Sequence, residues 1–513
     1  MRNNPDIYLY ERIEHKNADF NVWMAFPGPE SFALSSLGFL WMYKSIDECF
    51  DVNVEMLCLD TKTTKIRKEN LDMMGFSFCF DMDFYNIFTM IEKYDYPLRS
   101  KDRGEDHPLI FAGGPVVTAN PEPYREFFDF FILGDGEDLN YTAIQICKEN
   151  KGKSKKEILE ILARIDGIYV PNFRQDKVVK ITKKLTECIY TPIISERSFF
   201  KNTFIIEVER GCANRCGFCL ASYLNLPIRF VPYDEIITKL EKGLKYTNKI
   251  ALLGAQITAH PHFKDICLYI SNKIKNGQQI NMSISSMRVD AFCPEIVEAL
   301  VLAGQKNTTL AIEAGSERLR KLINKNLTEE QIFEAIEIAS KNGLKGFKFY
   351  GMIGLPTETQ ADIDELITLA KKIKKRYKRF DISFGFSSFV PKANTPFQWV
   401  GRENTKLLEK KAEYLKKELH KIGIHAQFAS IKWDYYQAVL SRGDSGLSEY
   451  LVDIYKNQAK IGAFKKFAKI HNINTDYYAL STFAYQDVLP WDFIEFTPGK
   501  DFLISENKRL LGA

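Results

Sequence analysis

Glu209-Arg210-Gly211-Cys212-Ala213-Asn214-Arg215-Cys216-Gly217-Phe218-Cys219 is the stretch that decides how this chain reads. It follows a strand-like segment at 204–208 and sets three thiols apart by three and then two residues. Thiolates at that spacing can fold round one iron–sulfur cube, but a cube has four irons and the run supplies three ligands, which leaves one iron open for chemistry. An electron carrier closes all four irons with cysteine, and a structural zinc site takes four ligands, usually as two separated pairs. Neither pattern is completed here. Cys188 and Cys267 each lie in an apolar stretch and read as small buried hydrophobes.

Working outward, the β-then-α alternation around this run covers 200–400. Strand-like segments at 203–208, 249–253, 279–285, 307–312, 346–350 and 381–386 are each followed by a helical pattern. Six such units predict a partial parallel (β/α)6 barrel with its site at the strands' C-terminal ends. The thiol run follows the first strand. Leu253-Gly254-Ala255-Gln256 closes the second, Ser283-Ile284-Ser285-Ser286-Met287-Arg288 the third, Ala311-Ile312-Glu313-Ala314-Gly315-Ser316-Glu317 the fourth, and Phe349-Tyr350-Gly351-Met352 the fifth. Small residues permit close backbone approach, while hydroxyls and a guanidinium suit ribose and carboxylate. The same serines and glutamates would also serve as helix caps.

Residues 1–150 read as a Rossmann-type, doubly wound parallel sheet, with strand-like runs at 20–26, 52–59, 73–80, 109–112 and 128–133. The loops Phe26-Pro27-Gly28-Pro29, Gly113-Gly114-Pro115 and Gly134-Asp135-Gly136-Glu137 fall at strand C-terminal ends, where open α/β sheets bind ligands; glycine there can equally serve only to turn the chain. Residues 151–199 read as a connector, and 401–513 as a mostly helical region opened by an amphipathic pattern at 403–422.

The thiol run with Phe218, together with the ordered strand ends, resembles the radical S-adenosylmethionine (radical SAM) superfamily, and 1–150 resembles the cobalamin-binding domain that precedes many such barrels. The resemblance implies a 4Fe-4S cluster on Cys212, Cys216 and Cys219. It also implies S-adenosylmethionine (SAM) held by Phe218, Gly254, Ala255, Ser285, Arg288 and Glu313, with Arg318 able to pair with the SAM carboxylate, and reductive cleavage to a 5'-deoxyadenosyl radical acting on an unknown substrate. One departure stands out. The family's cobalt-ligating histidine has no counterpart at Pro27-Gly28-Pro29-Glu30-Ser31, and His15 and His107 lie elsewhere. Cobalamin bound with no protein ligand to the metal stays open, and with it a cobalamin-dependent methyltransferase. The runs Phe389-Val390-Pro391-Lys392-Ala393-Asn394-Thr395-Pro396-Phe397-Gln398-Trp399 and Leu440-Ser441-Arg442-Gly443-Asp444 resemble a little-characterised branch of these proteins, carrying the likeness over nearly the whole chain.

Composition sets the remaining expectations. The 513 residues carry 45% hydrophobic and 27% charged side chains and a net charge of +4, a normal globular balance that makes no case for nucleic acid as partner. The basic run Lys371-Lys372-Ile373-Lys374-Lys375-Arg376-Tyr377-Lys378-Arg379 reads as a solvated helix end, with an RNA substrate as its rival. No apolar run is long enough to span a bilayer, and ten cysteines without a disulfide-like framework fit a reducing, cytoplasmic setting. A radical-generating lumen should be dry, with Phe384, Phe386, Phe389 and Tyr350 as its wall or as ordinary core. Partners are then a small-molecule or RNA substrate and a reductant such as flavodoxin or ferredoxin. A non-catalytic iron–sulfur or RNA-binding scaffold is the reading from another class, and no single catalytic residue is picked out.

Overall fold

The computed structural model describes residues 6–13, 18–173, 175–285 and 287–512; His15 and Ser286 lie outside them. The N-terminal part is built on a six-stranded sheet. Its strands are β1 (Asn21–Phe26), β2 (Asn53–Cys58), β3 (Met73–Ser77), β4 (Leu109–Gly113), β5 (Phe130–Ile132) and β6 (Ile168–Tyr169), ordered β2-β1-β3-β4-β5-β6. The first five run parallel and β6 closes the edge antiparallel. Val22, Trp23, Met24 and Ala25 are buried in succession, the mark of a parallel strand covered on both faces. Chain order reverses between β1 and β3, and the crevice that this opens lies at the strands' C-terminal ends.

The barrel begins at β7 (Thr203–Glu207), which pairs with β8 (Lys249–Leu253) and then β9 (Asn281–Ile284). A second parallel sheet holds β10 (Asn307–Glu313), β11 (Gly346–Ile353), β12 (Asp381–Ser388) and β13 (His425–Phe428). Among the described residues a single bridge, from Met287 to Leu310, joins the two sheets. All six strands expected from the sequence are present. The seventh, β13, was missed because His425-Ala426-Gln427-Phe428 is short and half polar, so nothing in it reads as an apolar run.

Period-2 alternation divides the strands' faces. Phe347, Phe349, Ile382, Phe384 and Phe386 pack outward into one core with helix residues such as Ile332, Ile336, Ile363 and Ile367. Phe384 and Phe386 are therefore ordinary core, and Phe389 belongs to a separate cluster with Phe397 and Leu510. Of the four aromatics considered as a lumen wall, Tyr350 alone is exposed, at 48%.

The connector is stitched down at both ends: Ile193–Ile194 pairs with Ile7–Tyr8, and Val178–Val179 with Ile494–Glu495. The motifs at 389–399 and 440–444 act as welds. Lys392 reaches Asp81 of the N-terminal part at 2.6 Å and Ser441 at 2.7 Å, and Asn394 donates to the Ala119 carbonyl at 2.8 Å. Arg442, 1% exposed, donates to the carbonyls of Tyr478, Gln398, Val400 and Ser481. The basic run sits on the outside of the barrel helix Gln360–Arg376, where Lys372 pairs with Glu329 at 2.7 Å and Arg376 with Glu337 at 3.1 Å, the solvated arrangement expected of a helix end. Among the described residues no helix is long and apolar enough to cross a membrane.

Candidate functional site: the thiol loop and the interdomain cavity

The thiol loop leaves β7 through Glu209–Arg210, which pairs antiparallel with Arg229–Phe230 and pinches the loop shut. Gly211 makes the turn at φ +95°, and a Cβ there would stand 2.6 Å from the Asn225 carbonyl oxygen, so only glycine fits. Asn324 donates to the Asn214 carbonyl at 2.5 Å, and Tyr223 to that of Arg215 at 2.8 Å. Gly217 donates to the Ile323 carbonyl and accepts from the amide of Phe397, in a gap where a Cβ would strike Phe397 and Leu510. Phe218 packs half-buried into the cluster of Ala314, Leu319, Phe389 and Phe397.

Cys212 and Cys216 are 8% and 7% exposed. Burial pushes the Cys216 thiol up to about 12; Lys325 pulls against it, and Cys219, Glu313 and Cys212 add to it, so the three sulfurs lie within electrostatic reach of one another. Among the described residues no three His, Cys, Asp or Glu side chains converge as on a single metal ion. Three thiolates that bind three different irons of one cube stand further apart than that, and this pinched loop, with Cys212 and Cys216 buried and Cys219 half-buried, fits such a cluster better than a single ion.

The other expected residues ring the loop. Ser285 Oγ accepts from the Gly254 amide at 3.1 Å and donates to its carbonyl at 2.7 Å, joining the second and third strand ends. Arg288, 7% exposed, donates to both oxygens of Asp290 and to the Lys325 carbonyl, and its Nη1 has no partner among the described residues. Burial works against the charge on Arg288, but Asp290 and the thiols of Cys216 and Cys212 favour it and hold its pKa above the usual arginine range. Glu313 meets Lys325 at 3.2 Å, across a bulge in β10 that leaves Glu313 at φ +64°. Arg318 is turned away, tied to Asp362 at 2.6 Å.

Between the N-terminal sheet and this loop lies a cavity of about 640 Å³. Met24, Phe39, Met42, Phe76, Phe111 and Ile132 form an apolar side, and Glu207, Glu209, Arg210, Gly254 and Ala255 come from the barrel. Of the three glycine loops, residues 113–115 and 134–137 reach the cavity and the Pro27-Gly28-Pro29 loop does not. Gly114 and Gly134 answer first to the chain path, since a Cβ would lie 2.6 Å from the Phe78 carbonyl oxygen and 2.1 Å from that of Ile181. No histidine is among the described lining residues. His107 accepts from the Gly104 amide in its own turn, away from the cavity.

One guanidinium spans the junction. Arg210 meets Asp135 at 2.9 Å, Glu137 at 2.6 Å and Glu207 at 2.7 Å, and Arg229 adds a second contact to Asp135 at 2.5 Å. Burial alone would raise the Asp135 pKa, but Arg210 and Arg229 hold it below the usual carboxylate range. Sequence reasoning read Asp135 and Glu137 only as loop residues. The signal available was the acidic pair opposite the arginine beside Cys212.

The chain matches the family described as radical SAM proteins, N-terminal, over residues 40–171, and the radical SAM superfamily over residues 206–370. It is 32% identical over 455 residues to an uncharacterized protein of Methanocaldococcus jannaschii, covering 87% of this chain and 94% of that one. It is 26% identical over 364 residues to an uncharacterized methyltransferase of Pyrococcus horikoshii, covering 68% and 75%. Among solved structures it resembles the cobalamin-dependent radical SAM enzyme OxsB with aqua-cobalamin and SAM bound (TM-score 0.53, 14% identity, 96% and 79% covered). It also resembles the methyltransferase TsrM of Kitasatospora setae (TM-score 0.51, 12% identity, 71% and 72% covered). The thiol loop, the open parallel barrel and these matches agree: the chain belongs to the radical SAM superfamily and is an enzyme of it.

Proposed function

We propose that the chain reductively cleaves SAM at a 4Fe-4S cluster held by Cys212, Cys216 and Cys219, and that the interdomain cavity holds a corrinoid. In this reading residues 1–150 form a cobalamin-binding-like unit, 151–199 a connector, 200–400 the barrel and 401–513 a helical cap. When bound, the cluster supplies the electron that splits SAM into methionine and a 5'-deoxyadenosyl radical. The chain's own residues do the rest. Arg288 offers its free Nη1 to the SAM carboxylate, and Phe218 lends the cluster loop an apolar wall. Gly254, held by Ser285, and Ala255 present backbone at the second strand end, and Glu313 faces the ribose or amine.

The observation that carries the reading is the loop of three thiols, two of them buried, set at the C-terminal end of the first barrel strand. The corrinoid is supported by the cavity, which lies over the C-terminal ends of β3, β4 and β5 and faces Glu209, Arg210 and Gly211 at the start of that loop. With no histidine in the described wall, the metal would be held without a protein ligand. A low-potential reductant such as a flavodoxin or ferredoxin supplies the electron, and the substrate is a small molecule or an RNA. Anaerobic reconstitution with iron and sulfide, then SAM and dithionite, should give 5'-deoxyadenosine from the native chain and none from Cys212→Ala. Equal product from both would sink the assignment.

A further inference from the structure

Two polar groups in the cavity wall have nothing to bind. Asn140 lies on the buried stripe of helix Glu137–Glu149, among Leu139, Ala143, Ile144 and Cys147, and is 3% exposed. Its side-chain nitrogen has no hydrogen-bond partner among the described residues. From the barrel side Glu209, 1% exposed, accepts the Gln256 amide on Oε1, while Oε2 is left without a partner among them. Both residues line the same cavity. Folded proteins rarely keep an unpaired buried amide or carboxyl, and two in one wall, one from each side of the junction, point to a ligand that completes them.

The chemistry of that ligand is narrow. The other acids nearby, Asp135, Glu137 and Glu207, are each already paired with Arg210 or Arg229. The free pair is then one amide donor and one carboxyl acceptor, beside an apolar side of Phe39, Met42, Phe76 and Phe111. A hydrocarbon would leave both groups unpaired, and an anion would be repelled by Glu209 once it is ionised, above about pH 7, where binding is titrated. A primary carboxamide offers a carbonyl to Asn140 and an N–H to Glu209. We propose that Asn140 and Glu209 recognise carboxamide groups on the rim of a large ligand whose body lies on the apolar side. This rests on the corrinoid reading, since a corrin ring carries carboxamides round its edge.

The test is binding to the full-length, anaerobically reconstituted chain, followed by absorbance titration. Hydroxocobalamin and cobinamide, which keep the carboxamides, should both bind. Cobyrinic acid, which carries carboxylates instead, should bind at least about tenfold more weakly. Asn140→Leu and Glu209→Leu should each weaken hydroxocobalamin at least about fivefold. Iron content and circular dichroism should not change. Equal binding of cobyrinic acid, or unaltered affinity in both leucine variants, overturns the proposal while the corrinoid reading stands. A native chain that binds no hydroxocobalamin overturns both.

Discussion

Arg210→Met should uncouple the two halves of the molecule. Methionine keeps much of the stem's volume but removes the guanidinium that meets Asp135, Glu137 and Glu207 at 2.9, 2.6 and 2.7 Å. The side chains are well shielded, at 13% exposure for Arg210 and 9%, 8% and 15% for the three acids. Asp135 keeps Arg229, but Glu137 and Glu207 lose their only ion pair among the described residues. Breaking a buried pair on one side costs about 3–5 kcal/mol, most of it the uncompensated charge. Urea unfolding of the full chain, followed by circular dichroism at pH 7.5, should show a loss of that size, with the N-terminal sheet melting ahead of the barrel. In the native chain Asp135, whose pKa Arg210 and Arg229 hold low, contributes stability that is present above its ordinary pKa and lost only as pH falls through the depressed one. A loss below about 1 kcal/mol at pH 7.5 would refute the clamp.

Other outcomes follow from the same geometry. Gly254→Ala places a Cβ 2.4 Å from Glu209 Cγ and 2.9 Å from Ile257, so calorimetric titration should find SAM affinity reduced, with the fold retained by circular dichroism. Arg288→Gln removes the free Nη1 and should raise the SAM Kd at least about tenfold, about 1.4 kcal/mol, at unchanged iron content. Burial raises the Glu209 carboxyl to about 7, so its stabilising protonated form is fully present below about pH 4.5 and is lost as pH rises through 7. Cluster-free Glu209→Gln should therefore gain up to about 3 kcal/mol over the native chain at pH 8 and little at pH 4.5, and urea midpoints that differ equally at both pH values would contradict this. Lys392→Met strands the buried Asp81 and should cost about 3 kcal/mol in the same assay.

How much of this was legible depended on whether the signal was local. The strands announced themselves because Val22 to Ala25 and Ile382, Phe384 and Phe386 follow the two burial patterns that a sheet allows, and the thiol loop because its ligands fall within eight residues of sequence. Strand β13 stayed hidden because four half-polar residues carry too little periodicity. The welds from Asp81 to Lys392 and to Ser441 join positions more than 300 residues apart, and the motifs that hold the latter two read only as marks of a family likeness, with nothing local to show the buried acid they would meet. Arg318 looked free for a carboxylate until the fold set Asp362 beside it. Asn140 was readable in principle, as an asparagine in a stripe of Leu139, Ala143, Ile144 and Cys147. Its meaning needed Glu209 brought up from the barrel.

The most direct test of the central claim is the nucleoside product of the reconstituted chain, measured by mass spectrometry after adding SAM and a strong reductant, with and without hydroxocobalamin. The account predicts 5'-deoxyadenosine that depends on Cys212, Cys216 and Cys219. A full cluster whose spectrum ignores SAM, with no 5'-deoxyadenosine formed under either condition, would contradict it.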